Sequence, residues 1–187
     1  ICHKHKVIYN ASVWDLKMLN WIDNYLTFYK IGSGDLTSWP IIEEFVKREK
    51  PILISTGLAN LNEVNETVKY IQRLNHKYFD PNMLCILQCT SMYPIKNNDA
   101  NLEVINVFKN HFRYPIGFSD HTLGYHALLC AANIGSSVLE FHFTDNRKGK
   151  KFRDHKVSLT NKEVKSLIEK IKLQSSYFGN GTKKLLE

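Results

Sequence analysis

Short runs of apolar, often β-branched residues alternate along the chain with longer amphipathic stretches, the pattern of βα units repeated around a parallel sheet. Six runs predict strands, at residues 7–9, 28–31, 51–55, 84–89, 115–118 and 137–142, each beginning apolar and ending polar. Between and after them, apolar positions at helical spacing predict helices over 16–25, 39–47, 61–74, 102–112, 125–134 and 161–173. Pro40 near the start of one helix, and Thr160 followed three residues later by Glu163 at another, are N-terminal start signals. No linker, low-complexity tract or acidic tail interrupts the series, so the chain reads as one domain.

Two architectures use such a series, an open doubly wound sheet and an eight-fold barrel. Polar residues follow nearly every predicted strand, at Ser12, Ser33, Ser55, Ser91, Ser119 and Thr144. A doubly wound sheet concentrates its site at one switch point, whereas a barrel rings its site with all its strand ends. Gly32-Ser33-Gly34-Asp35 is also too short for a dinucleotide-binding fingerprint. The expected fold is therefore an α/β barrel of the TIM type. A complete one takes about 250 residues and eight units, so 187 residues with six units predict a partial barrel lacking its first two units. The chain opens on Ile1 rather than Met, in keeping with a piece of a longer protein.

Composition narrows the function. With 43% hydrophobic and 23% charged residues the chain is an ordinary globular one, which excludes collagenous and disordered classes. No apolar run approaches the roughly 18 residues of a membrane span, and the first six residues form no signal region. A soluble, cytoplasmic protein is expected. Four cysteines, with Cys85 and Cys130 inside apolar runs, read as buried free thiols of a reducing compartment rather than a disulfide framework. The net charge of +7 suits an anionic partner, but the lysines are spread along the helices, so a small anionic substrate fits better than nucleic acid.

Three groups of residues carry candidate chemistry. His121 and His142 follow or end the last two strands, and adjacent strands would bring both imidazoles to one rim, a minimal divalent-metal site. Each could instead be a hydrogen-bonded histidine of the core or rim. Lys30 lies within a strand, facing the barrel interior, where a lone lysine is costly unless it meets an anion. Ser33, Ser55 and Ser119 surround it with short donors, as a phosphate cage requires, although single serines at strand ends are also common turn formers and caps. The basic loop from Thr144 to His155 either is a solvated face or closes over an anionic substrate, with Asp154 available for sugar hydroxyls or proton transfer. Cys85 and Cys89, four apart in a strand, read as apolar fillers rather than a metal pair. His3, His5, His76, His111 and His126 fall on termini, loops or helix faces and carry no assigned role.

At these residues the sequence resembles the sialic acid synthase family, including legionaminic and pseudaminic acid synthases, which condense phosphoenolpyruvate with an N-acetylated hexosamine into nine-carbon acidic sugars. The stretches that carry the likeness are Tyr29-Lys30-Ile31-Gly32-Ser33-Gly34-Asp35, Ile54-Ser55-Thr56-Gly57, Leu87-Gln88-Cys89-Thr90-Ser91-Met92-Tyr93-Pro94, Asp99-Ala100-Asn101-Leu102, Ile116-Gly117-Phe118-Ser119-Asp120-His121-Thr122-Leu123-Gly124 and Glu140-Phe141-His142-Phe143-Thr144. They run in family order over almost the whole chain.

The resemblance implies a partial barrel over residues 1–187, without its first two units or the small C-terminal antifreeze-like domain, and a homodimer for the full-length protein. It implies a metal pair, His121 and His142, holding manganese or magnesium. It also implies phosphoenolpyruvate contacts from Lys30, Ser33, Ser55 and Ser119, and a further hydroxyl of the same site from Ser12. Ser91, Tyr93 and Asp154 match positions that hold the acceptor sugar. Lys30, His121, His142 and Asp154 are the candidate catalytic residues. Three departures stand out. Phe141 replaces a basic residue before the second histidine, Phe152-Arg153-Asp154-His155 with an insertion replaces a Gly-Pro-Asp-His or Gly-Ser-Asp-His turn, and Asn10-Ala11-Ser12 replaces Ser-Thr-Pro. The acceptor stays open between N-acetylmannosamine, a phosphorylated form and diamino sugars. A metal-dependent barrel hydrolase and a non-catalytic remnant or binding module are the competing readings.

Overall fold

The computed structural model describes residues 1–183 and 185. Its centre is one sheet of five strands in sequence order, β1 (Tyr29–Ile31), β2 (Ile52–Ser55), β3 (Leu84–Cys89), β4 (Ile116–Asp120) and β5 (Leu139–Phe141), and every pairing is parallel. Among the described residues seven α-helices accompany it: α1 (Leu16–Ile22), α2 (Trp39–Lys47), α3 (Leu61–Leu74), α4 (Glu103–His111), α5 (His126–Asn133), α6 (Arg153–Val157) and α7 (Asn161–Phe178). The expected α/β fold with a parallel sheet is therefore present, with five strands instead of six.

The missing strand is the first. Residues 7–9 pair with no strand among the described residues, and Val7, Ile8 and Tyr9 stay 56%, 69% and 43% exposed. Three apolar residues with neither face covered gain too little from burial to offset the entropy of fixing a strand. The short helix α6, which begins within the stretch read as a loop from Thr144 to His155, was not expected either; its five residues are too few to show a helical period.

Alternation sorts the strand residues between two faces. Tyr29, Ile31, Ile52, Ile54, Leu84, Ile86, Ile116 and Phe118 are all buried on one of them. This face packs on the helices, as the stacking of Tyr29 on Phe45 of α2 shows, with ring centroids 4.2 Å apart. The other face carries Lys30, Leu53, Ser55, Cys85, Leu87, Cys89, Gly117, Ser119 and Glu140, aligned by the strand register.

That second face is concave. In a flat sheet β1 and β5, four strand spacings apart, would lie roughly 19 Å from each other. Instead Lys30 Nζ of β1 is 3.5 Å from Glu140 Oε2 of β5, and Ser55 Oγ of β2 is 3.3 Å from the same oxygen. The sheet must curl, giving a half-barrel with polar residues inside. Gly117 permits the curl at β4, because a Cβ there would lie 2.4 Å from Leu87 Cδ2 and 2.6 Å from the Val138 carbonyl oxygen.

The helix starts follow the sequence signals. Pro40 occupies the first turn of α2, and the Glu163 carboxylate reaches back to the Thr160 N–H at 2.7 Å. No helix among the described residues is long and apolar enough to cross a membrane. Cys85 is buried and all four cysteines are free, but Cys130 is exposed, contrary to expectation. Helix α5 buries Leu128 and Ala131, and Cys130 falls between them on the solvent side.

Candidate active site

Side chains leave a strand alternately to either face, so an inward residue is followed two positions later by another. Ser119 thus leads to His121, Glu140 to His142 and Cys89 to Ser91, each pair running off the C-terminal end of its strand on the concave side. The result is a cleft of about 820 Å³ at that end of the half-barrel. All ten candidate site residues line it: Ser12, Lys30, Ser33, Ser55, Ser91, Tyr93, Ser119, His121, His142 and Asp154. The structure thus gathers residues that span 142 positions of sequence.

Lys30 is not the lone inward lysine the sequence suggested. Its side chain is only 11% exposed, its ammonium donates to Ser55 Oγ at 2.7 Å, and the Glu140 carboxylate lies 3.5 Å away. Glu140 supplies the counter-charge that burial demands. Beside this trio Ser33 Oγ accepts from the Gly57 N–H at 3.0 Å, leaving the hydroxyl proton free to donate. Gly57 is where three strand-end segments meet. A Cβ there would sit 2.8 Å from Ser33 Oγ, 2.9 Å from Ser91 N and 3.1 Å from Cys89 Sγ. Burial pushes the Cys89 thiol up, against hydrogen bonds with Ser33 and Ser119 that pull it down.

The two histidines lie side by side, tilted to one another, and both pack on Tyr93. Their ring centroids are 5.2 Å apart, and the Tyr93 ring lies 4.0 Å from His121 and 5.4 Å from His142. His121 Nδ1 is 2.8 Å from the Thr90 carbonyl oxygen, which can only accept. Nδ1 therefore carries the proton and Nε2 keeps its lone pair. Burial pushes the His121 imidazole below its usual value, which maintains the neutral, ligating form. His142 Nδ1 lies 3.6 Å from Asp154 Oδ2, the carboxylate-behind-imidazole arrangement common around metal ligands. The donor set fits a divalent ion held at two imidazole nitrogens. Among the described residues no group of three or more His, Cys, Asp or Glu could hold one, so water or substrate oxygens would fill the other positions.

Asp154 itself is incompletely partnered. Its Oδ1 is shielded from solvent and takes no hydrogen bond among the described residues, with Arg153 Nε 3.5 Å away. Ser12 is exposed at the mouth, where it also borders the gap between β1 and β5. Glu140 and Arg153 are among the cleft residues that escaped the sequence reading. Glu140 was recoverable, since it stands two residues before His142 on the same strand. Arg153, whose guanidinium lies 4.6 Å over the Tyr93 ring, was not, because the loop that folds it back has no periodic signal.

A parallel half-barrel with its polar residues at the C-terminal strand ends has the layout of TIM-type barrel enzymes. Within that class the sequence matches the NeuB family over residues 1–183, and the chain belongs to that family. It is 34% identical over 182 residues to the N,N'-diacetyllegionaminic acid synthase of Campylobacter jejuni, a match covering 97% of this chain and 53% of that protein. It is also 34% identical to the N-acetylneuraminate-9-phosphate synthase of Mus musculus, over 96% of this chain and 49% of that protein. Among solved structures, the sialic acid synthetase of Leptospira borgpetersenii, crystallised in complex with citrate, superposes with a TM-score of 0.87 at 25% identity. That match covers 98% of this chain and 62% of the other. The chain spans about half the length of the curated relatives it matches.

Proposed function

We propose that the complete protein condenses phosphoenolpyruvate with an N-acetylated amino sugar, forming a nine-carbon sialic-type acid and releasing phosphate. The observation that carries this reading is the shared cleft, in which a largely buried lysine with three serines lies beside two adjacent imidazoles. The named activities of the NeuB-family relatives point the same way.

Each group has a task in that chemistry. Lys30, with Ser33, Ser55 and Ser119, holds the phosphate or carboxylate of phosphoenolpyruvate and fixes its approach. Ser91, Tyr93 and Asp154 hold the open-chain sugar. A divalent ion, manganese or magnesium, held by His121 and His142 would supply Lewis-acid polarisation of the aldehyde oxygen. The methylene carbon of phosphoenolpyruvate forms the new bond to the aldehyde carbon. Water adds at the neighbouring carbon, which is left oxocarbenium-like, and the C–O bond to phosphate breaks to leave the keto acid. Asp154, 3.6 Å from His142, is placed to take up or give a proton at the sugar oxygen.

The test is phosphate release by the complete protein. It should require phosphoenolpyruvate, an amino-sugar aldehyde and a divalent ion together, with the nine-carbon acid appearing in equal amount by mass spectrometry. Phosphate release without any sugar would mark a hydrolase instead. Absence of turnover and of divalent-ion binding would mark a binding module.

A further inference from the structure

The loop that follows β5 is tied down at its base. The Leu159 N–H donates to the His142 carbonyl at 2.7 Å, and the Thr144 N–H donates to the Leu159 carbonyl at 2.9 Å. Between these ties runs the basic loop, which the sequence leaves open between a solvated face and a cover over an anion. One of its cations turns back onto the chain instead. Arg147 donates from Nε and Nη2 to the Ser158 carbonyl at 3.0 and 2.7 Å, and from Nη2 to Glu163 Oε2 at 2.6 Å. Glu163 sits in the first turn of α7, where the same oxygen accepts from the Thr160 N–H at 2.7 Å. Ser158, 2% exposed, donates in turn to the Asp154 carbonyl, from its N–H at 3.0 Å and its hydroxyl at 2.7 Å. An unbroken series of hydrogen bonds therefore leads from α7 through Arg147 and Ser158 to Asp154, whose Oδ2 stands 3.6 Å from His142 Nδ1.

We propose that Arg147 is a positioning residue for the acceptor sugar, holding Asp154 beside His142 without touching substrate. The inference rests on the condensation proposed above and deepens it by naming what sets the place of the sugar-binding carboxylate. Arg147 is not among the residues that line the cleft. The side chain of Asp154 does little to fix itself. Its Oδ1 takes no hydrogen bond among the described residues, and the 3.6 Å to His142 exceeds hydrogen-bond length. The carboxylate therefore stands where its backbone puts it, and Ser158 holds that backbone. Arg147 supplies the hydrogen bonds that the carbonyl of this buried serine accepts. Without them a buried acceptor is left unpaired, a cost relieved when the segment shifts toward water, and Asp154 shifts with it. A planar fork of donors also fixes direction as well as distance, which a single ammonium does not.

The experiment is a double-mutant cycle in the complete protein with phosphoenolpyruvate, N-acetylmannosamine and manganese. Arg147→Ala should raise KM for the sugar and lower its kcat/KM by about tenfold, as a modest misplacement of a positioned group does. KM for phosphoenolpyruvate should stay within about twofold. In an Asp154→Asn background the same substitution should change kcat/KM by less than about twofold, because a residue that acts only through Asp154 has nothing left to position. No loss for the sugar, equal losses for both substrates, or an undiminished loss in the Asp154→Asn background would overturn the proposal. Should Arg147→Ala not fold, Glu163→Gln carries the same cycle, since its amide oxygen still takes the Thr160 N–H and only the charge facing Arg147 is lost. A loss for the sugar alone then supports the proposal, and no loss or an equal loss overturns it. If the native protein turns over no N-acetylmannosamine, the condensation reading fails for that sugar. In that case, or where Asp154→Asn is too slow to measure, a crystal structure of the Arg147→Ala protein decides the brace. Asp154 displaced from His142 supports it, and Asp154 in its native place overturns it.

Discussion

At the scale of single residues, the Lys30–Glu140 contact changes what a substitution means. Glu140 neutralises Lys30 before any substrate arrives, so an incoming anion competes with a carboxylate already present. Lys30→Met removes the cation and also leaves Glu140 facing the substrate. Affinity for phosphoenolpyruvate should fall by roughly 2–5 kcal/mol, as for loss of one member of a desolvated charge pair. Affinity for the acceptor should change much less, and steady-state kinetics varying each substrate in turn would check the difference. The histidines are not equivalent for mutagenesis. His121 is 5% exposed and packed on Tyr93, so its removal opens a cavity as well as deleting a ligand. The His142 side chain is 31% exposed, and His142→Ala should abolish divalent-ion binding measured by calorimetry while leaving the thermal midpoint within a few degrees.

At the scale of elements, packing between strand ends decides how firmly the cleft is held. Gly57→Ala would drive a Cβ into the Ser91 backbone nitrogen and Ser33 Oγ. Neither of the two segments can give way without moving a cleft serine, so kcat/KM for phosphoenolpyruvate should drop by about tenfold or more, a modest misplacement being costly in a two-substrate reaction. Beneath β1, Asp23 accepts hydrogen bonds from Tyr29 and Lys50 and lies 3.8 Å from Arg48. Burial alone would raise its carboxyl, but those hydrogen bonds and the Lys50 and Arg48 charges outweigh burial and hold it below its ordinary 3.8. The folded state therefore binds this proton less readily than the unfolded chain, and the stabilisation is present above the unfolded value and lost as pH falls through the folded one. Asp23→Asn should cost about 1–2 kcal/mol near neutrality, by urea denaturation, and the gap should begin to narrow as pH falls below about 3.8 and close only below the folded-state value. Most of these elements were legible in the sequence because their apolar runs are long enough to show a period: α2 and α3 have the expected bounds. The first strand was misread because burial, not composition, decides whether Val7, Ile8 and Tyr9 order. For the cleft, the sequence marked which residues end polar at each strand, but the partnership of Lys30 with Glu140 depends on curvature, which no local pattern encodes.

At the scale of the whole molecule, a sheet without hairpins has a consequence in time. Every strand pairing joins segments roughly 20 to 30 residues apart, such as Tyr29 with Ile52 and Ile52 with Leu84. Chain closure must therefore come before any ladder rewards it. Refolding from denaturant should take milliseconds to seconds, and stopped-flow fluorescence that finished in microseconds would contradict the topology. During that interval strand edges that have not yet paired are templates for a neighbouring chain. The recovered fraction should fall as protein concentration rises. The same curvature that brings Lys30 to Glu140 is thus achieved late, and the cleft is among the last parts of the chain to be made.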